Sequence, residues 1–473
     1  TATVADRNAF GGSNSFTNWN AIHLQNRQSA WFKTVLTAPD QLRQRVAYAL
    51  SQILVISDIS LGEDSHTEPV ANYYDILGNG AFGNFRTLLE NVTLSPMMGM
   101  YLSSLRNSKA DPVTGQTPDE NYAREIMQLF TIGLDQLQPD GTLRLDAAGL
   151  PIPTYDQTTI TELAKVFTGW AYPSTNLAAF RTASTNYYSP MQLFPAFHDD
   201  TVKNLAPVTS TPIPAAQGGT QDLKLALDAL FNHANTPPFI SKLLIQRLVT
   251  SNPSPAYIFR VSKVWDDNGK GVRGDLCAVV KAILLDSEAR TLGTALASGK
   301  MSEPMIRLSR VMRAFGRAPS SNPPLLGRYL MWNALDEIGQ WPMQAPTVFN
   351  FFTPSYAPPG PVLDAGFVSP EFEITTELTA TDTANYFFEG VTNGFYTDSG
   401  SRITLDLTPL TSLWSTPNAL MTKFETLLLG RPMSASLRTS MMSLHTLHST
   451  NATNGVRVML QLLSASPEFV MEK

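Results

Sequence analysis

The chain has 473 residues, of which 43% are apolar and 10% aromatic, enough for a large core. Charged residues make up 16%, below the roughly 25% of an average soluble protein. A formal net charge of −6 argues against a nucleic-acid binder, and the composition excludes collagen, a coiled coil, a disulfide-stapled miniprotein and global disorder.

Helical periodicity dominates the first 170 residues. Between Pro39 and Ser57, the residues Leu42, Val46, Ala49, Leu50, Ile53 and Leu54 recur at helical spacing. Further helices are predicted over 70–79, 83–105, 118–132 and 157–169. The second of these breaks at Ser95-Pro96, because proline starts helices better than it continues them. Thr117 and Glu120 form a capping-box pattern around Pro118, and Gly133 is placed to end that helix. The stretch 134–155 differs: a Pro139-Asp-Gly141 turn between short alternating runs predicts a β-hairpin.

Residues 171–220 form a long irregular connection, and ordered loops of that length are often functional. A second helical block covers 221–317. There Thr236-Pro237 reads as cap and first turn, and Asp275 as the N-cap of the next helix. The single cysteine, Cys277, shares a face with Val280 and Leu284 and reads as a small buried hydrophobe. A Pro- and aromatic-rich region spans 318–370. The tail 371–473 is helical again, with starts at Thr416-Pro417 and Ser434.

The predicted fold is mainly α: a single large multi-helical body with long Pro-rich loops and a small β-hairpin. It is one continuous domain over 1–473, lobed as 1–170, 171–220, 221–317, 318–370 and 371–473. No run approaches the ~18 apolar residues of a membrane span. No basic-plus-apolar leader stands at Thr1, so the chain reads as a mature or trimmed form, compatible with export.

Two segments carry the candidate chemistry. On the predicted helix after Thr117, Asn121, Arg124, Glu125 and Gln128 fall on one polar stripe, either a solvated surface or the wall of a polar pocket. Glu120 and Glu125 point about 140° apart and so cannot flank one glycosidic bond. In the long loop, His198-Asp199 with Lys203 is the best acid–base material, since histidine titrates near neutrality and a carboxylate can fix its tautomer. Trp170 opens that loop, either as a core anchor or as a platform for stacking a ring. Glu125 and His198 are therefore the candidate catalytic residues. Asn121, Arg124, Trp170, Asp199 and Lys203 are the candidate substrate-binding residues. The loop is expected to fold over the stripe and bring these residues to one polar cavity.

No metal site is predicted. His445 and His448 lack a third ligand, and Asp58, Glu63, Asp64, His66 and Glu68 read as a solvated acidic loop. The loop after Trp265 fails the calcium pattern, with Lys270 at the fifth position and Cys277 at the twelfth. Phosphate-loop and esterase-elbow motifs are absent, and no cofactor is specified.

Several of these segments together resemble a large bacterial family, the domain of unknown function filed under the number 1800. The matching blocks are Arg45–Ser57, Asp119–Gly133, Val166–Trp170 and Leu244–Pro255. They are supported by His198-Asp199 with Lys203, Gly271–Asp275 and Ala345–Phe352. The resemblance covers nearly the whole chain. It implies an exported, periplasmic or extracellular, mostly helical protein, with a sulfatase-like partner protein of another uncharacterised family, and it implies no reaction. After Lys203 this chain reads Asn-Leu-Ala-Pro where relatives often have Leu-Leu-Gly. Two expectations follow. One is an enzyme acting on an extracellular polymer through Glu125 and His198. The other is a non-catalytic envelope or matrix protein in which the same residues form a buried polar network.

Overall fold

The computed structural model describes residues 19–62, 66–184, 186–291, 298–316, 334–396 and 402–472. The fold is mainly α, as the periodicity predicts. Among the described residues, strands occur only as short antiparallel pairs: Trp170–Ala171 with Gln192–Leu193, Lys300–Met301 with Met471–Glu472, and Phe395–Tyr396 with Arg402–Ile403. No helix among the described residues is long and apolar enough to cross a membrane.

The helices predicted between Pro39 and residue 169 all form, with shifted ends, and helix Trp19–Thr37 precedes them without a counterpart among the predicted elements. The first predicted stripe forms helix Gln41–Ser51, and the chain then turns while Ile53, Leu54, Val55 and Ile56 stay buried. The break at Ser95-Pro96 separates helices Phe85–Thr93 and Pro96–Tyr101. The predicted 134–155 hairpin is a small meander, with bridges Leu137 to Leu143 and Leu145 to Pro151. Its first turn carries Gly141 at φ +77°, a region open to glycine at no steric cost. Asn235 anchors the base of the meander. Its Oδ1 accepts from Leu137 N, and its Nδ2 donates to Ile132 O and Asp135 O.

Three expectations are corrected. Helix Asn121–Gln128 starts three residues after Pro118, and Thr117 does not cap it. The reason is Asn107, whose side chain hydrogen-bonds both the N–H and the C=O of Asp119 and fixes that segment outside the helix. Glu120 makes no capping box. It accepts instead from Gln157 Nε2 and Thr161 Oγ1, both at 2.7 Å, tying the helix to its neighbour Gln157–Val166. Cys277 is exposed, because Asp275 caps helix Leu276–Leu285 in a rotation that turns Leu276, Val279, Val280 and Ile283 inward.

The apolar interior has two main parts. One gathers residues from Val46 to Ile283 and Met343. The other joins Phe32 and Tyr48 to residues from Met305 to Phe469. Between them lies a buried polar seam. Glu303 Oε2 accepts from Tyr48 O–H (3.1 Å), Gln52 Nε2 (2.5 Å) and Gln340 Nε2 (2.6 Å). Lys300 Nζ bonds Glu371 Oε1 at 2.8 Å and the carbonyls of Gln246 and Arg247. The Arg247 guanidinium lies over the Phe352 ring, 4.2 Å from its centroid, a favourable cation–π placement. The seam therefore uses residues from three of the sequence blocks: Tyr48 and Gln52, Gln246 and Arg247, and Phe352.

Removing one member of such a network leaves its partners buried and unpaired. Glu303→Ala is expected to lower unfolding free energy by about 3–5 kcal/mol in a denaturant titration. A loss within experimental error would mean that water replaces the carboxylate.

Candidate functional site

His198 ends a short helical turn in the long connection and enters the core beneath Thr168 and Gly169. Glycine is required on both sides of its ring. Gly169 has φ +82°, and a Cβ there would lie 2.9 Å from His198 N and Cβ. A Cβ on Gly219 would lie 2.9 Å from His198 Nδ1. The Phe-Thr-Gly-Trp block thus ends its helix where a histidine must pass.

The centre of the group is Asp222, in the first turn of helix Gly219–Asn232, where the helix dipole favours a negative charge. Its Oδ2 meets His198 Nε2 at 3.1 Å and also binds Lys203 Nζ. Its Oδ1 accepts from Gln217 Nε2 at 2.8 Å. Lys203 is fully buried, and its ammonium also donates to the carbonyls of Asp199 (2.5 Å) and Thr201 (2.8 Å). His198 Nδ1 lies 2.9 Å from the Thr168 carbonyl. Thr168 Oγ1 accepts from Asp199 N at 2.8 Å. Burial opposes ionisation of Asp199, but hydrogen bonds from Thr201 and the charge of Lys203 hold its carboxyl below the ordinary value.

The structure brings His198, Asp199 and Lys203 together and adds Asp222, Thr168 and Gln217. Asp222 has a local sequence signal, its position just after Gly218-Gly219, but only the tertiary fold reveals its partners. Trp170 is buried in the main core, and its Nε1 donates to Val166 O at 3.3 Å.

The predicted polar stripe sits on its own helix. Asn121 is exposed, and Arg124 pairs at the surface with Glu120 and Gln157. Glu125 is buried, with Oε2 lacking a hydrogen-bond partner. Burial pushes its pKa up, and the neighbouring Arg124 offsets this only in part. Tyr101 and Tyr155 lie close enough to feel its charge. Among the described residues, no hydrogen bond or ion pair joins Glu125 to His198, Asp199, Lys203 or Asp222.

The other acidic and histidine clusters are occupied. His445 Nε2 bonds Trp414 O at 2.8 Å, and His448 meets Asn454. Asp58 pairs with Arg27 in the interior. Glu63 and Asp64 lie outside the described residues.

Two outcomes are expected. Gly169→Ala forces a side chain into the left-handed region, which alone costs about 1–3 kcal/mol, and it presses on His198. Denaturant melts check this, and an unchanged midpoint would contradict the packing. Glu125 has a folded pKa above its ordinary 4.5. The folded chain then holds a proton that the unfolded chain has released, so stability falls as pH rises from 4.5 through the raised value. Glu125→Gln should flatten the melting temperature across that window and leave it equal or higher at pH 7.

No curated protein and no solved structure matches the chain. A family model described as "Protein of unknown function (DUF1800)" matches residues 5–471. With that match running nearly end to end, and with the sequence blocks assembled into one helical body, the chain belongs to the DUF1800 family.

Proposed function

We propose that this protein is an exported, non-catalytic component of the bacterial envelope or extracellular matrix that docks a partner protein. The observation that carries this reading is the 134–155 meander. It presents Leu134, Leu143, Leu145 and Leu150 to solvent at 48–61% exposure, while its base is anchored by Asn235. Clustered exposed apolar side chains on a well-anchored element are the mark of an association surface. The His198 group supports the same reading from the other direction. His198 is 3% exposed, and Lys203 and Asp222 are fully buried, with Lys203 and Gln217 donating to the Asp222 carboxylate. A buried network of this kind locks a fold and leaves little room for a substrate. The partner fitting the family's setting is a sulfatase-like protein.

A second reading, action on an extracellular polymer, rests on Glu125. A buried carboxyl with an unpaired oxygen and a raised pKa has the profile of a general acid. Arg124 beside it is a ready contact for an anionic group.

The test uses the double variant Leu143→Ser, Leu145→Ser and a purified sulfatase-like protein from the same genome. The circular-dichroism spectrum and melting temperature should stay unchanged. Affinity measured by surface plasmon resonance should fall at least tenfold, since each leucine buried at an interface contributes about 1.5–3 kcal/mol. Equal affinity for both proteins would remove the meander as the docking surface.

A further inference from the structure

The contact between His198 and Asp222 poses a problem of proton count. His198 Nδ1 faces the Thr168 carbonyl at 2.9 Å, and a carbonyl only accepts. Thr168 Oγ1, 3.4 Å from the same nitrogen, spends its own proton on Lys165 O at 2.6 Å. Nδ1 therefore carries the ring proton. In a neutral imidazole this leaves Nε2 as a lone pair, aimed at Asp222 Oδ2 from 3.1 Å. Two electron-rich atoms at that distance need a positive centre between them, either a second ring proton or a metal ion.

The surroundings favour the metal ion. A backbone carbonyl holding Nδ1–H while Nε2 points into a carboxylate pair is the usual way a protein orients a histidine ligand. Asp200 supplies the second carboxylate: one ligand atom each from His198, Asp200 and Asp222 lie within 4.8 Å of one another. The separation of 3.1 Å between Nε2 and Oδ2 fits the edge of a coordination shell with ligands at roughly 2.0–2.2 Å. Charge points the same way: Asp199, Asp200 and Asp222 set three carboxylates beside the buried ammonium of Lys203, and the second nearby ammonium, Lys165, is already paired with Glu162, so the group is net negative before an ion binds. Lys203 lies against Asp222 and the carbonyls of Asp199 and Thr201. Asp200 is exposed, so an ion can enter and keep water ligands from that side.

We propose that His198 Nε2 and the carboxylates of Asp200 and Asp222 form a binding site for a divalent first-row transition-metal ion. One imidazole with two carboxylates is a borderline donor set that suits such ions better than calcium. The ion would pin the loop Asp199–Gly218 to the helix that starts at Gly219. The inference goes beyond the docking reading and stands apart from it, because the meander residues do not enter the site.

The test titrates EDTA-treated full-length protein with Zn²⁺ by calorimetry and with Co²⁺ by visible absorption. The comparison variant is Asp200→Asn. Asparagine keeps an oxygen for the Gly218 amide, which Asp200 Oδ1 accepts at 3.1 Å, and the residue is exposed, so folding is preserved. The expected result is one ion per chain, a rise in melting temperature with Zn²⁺, and an affinity at least ~10-fold weaker in Asp200→Asn, with the metal-free melting temperatures equal. Two results would overturn the proposal. One is the absence of saturable binding. The other is a nitrogen NMR spectrum in which both His198 ring nitrogens carry protons and do not respond to Zn²⁺.

Discussion

Compensation of buried charge is the constraint on which the structure depends. Lys203, Asp222, Lys300, Glu303 and Glu371 are all at most 1% exposed. An isolated charge in such a place is prohibitively costly, and it is tolerated only when paired and hydrogen-bonded. Four of them form ion pairs, Lys203 with Asp222 and Lys300 with Glu371, while Glu303 accepts hydrogen bonds from Tyr48, Gln52 and Gln340; each contact joins separate segments of the chain. Asp222 holds the long loop to a helix, and Glu303 and Lys300 hold one apolar core to the other. The apolar cores supply the bulk of the stabilisation, while these contacts select the arrangement of helices that satisfies the charges at these joints.

This arrangement explains why the recognisable sequence blocks are rich in Arg, Gln, Asn, His and Asp and yet do not line one cleft. Arg45, Tyr48, Gln52, Gln246 and Arg247 meet at the seam. Thr168, Gly169, His198 and Lys203 meet at Asp222. Asn107 links the segments ending at Asp119 and Gly169, accepting from Gly169 N at 2.7 Å. The blocks are joints of the fold, and the exposed meander projects from a body made rigid by them.

The helical architecture was legible because apolar periodicity survives burial from one side: Val46, Leu50, Ile126 and Leu163 all lie in the core. Local turn chemistry was equally plain, as at Asp275, Ser434 and the Pro139-Asp-Gly141 turn. The failures arose where a distant side chain overrode a local signal. Asn107 cancels the capping box at Thr117, and nothing near Thr117 announces it. Cys277 faces outward by one step of helical rotation. At the candidate site, His198, Asp199 and Lys203 stood out as a cluster. Asp222 and Asp200 did not, because their role depends on a helix N-terminus folding back on the loop. Glu303 and Glu371, with no local motif, escaped the sequence entirely.

The loop from His198 to Asp222 is locked to the core at its base, through His198, Lys203 and Asp222, and is not a mobile lid. Native-state hydrogen exchange tests it directly at Lys203 and Ile213, whose amides bond each other's carbonyls at 3.0 and 2.9 Å, and at Phe194, bonded to Gly169 O at 2.7 Å. These amides are expected to exchange only through the global unfolding that exposes Ile126 and Leu244 in the core helices. Exchange at a much lower opening free energy, with the core helices still protected, would show a loop that opens on its own and would contradict it.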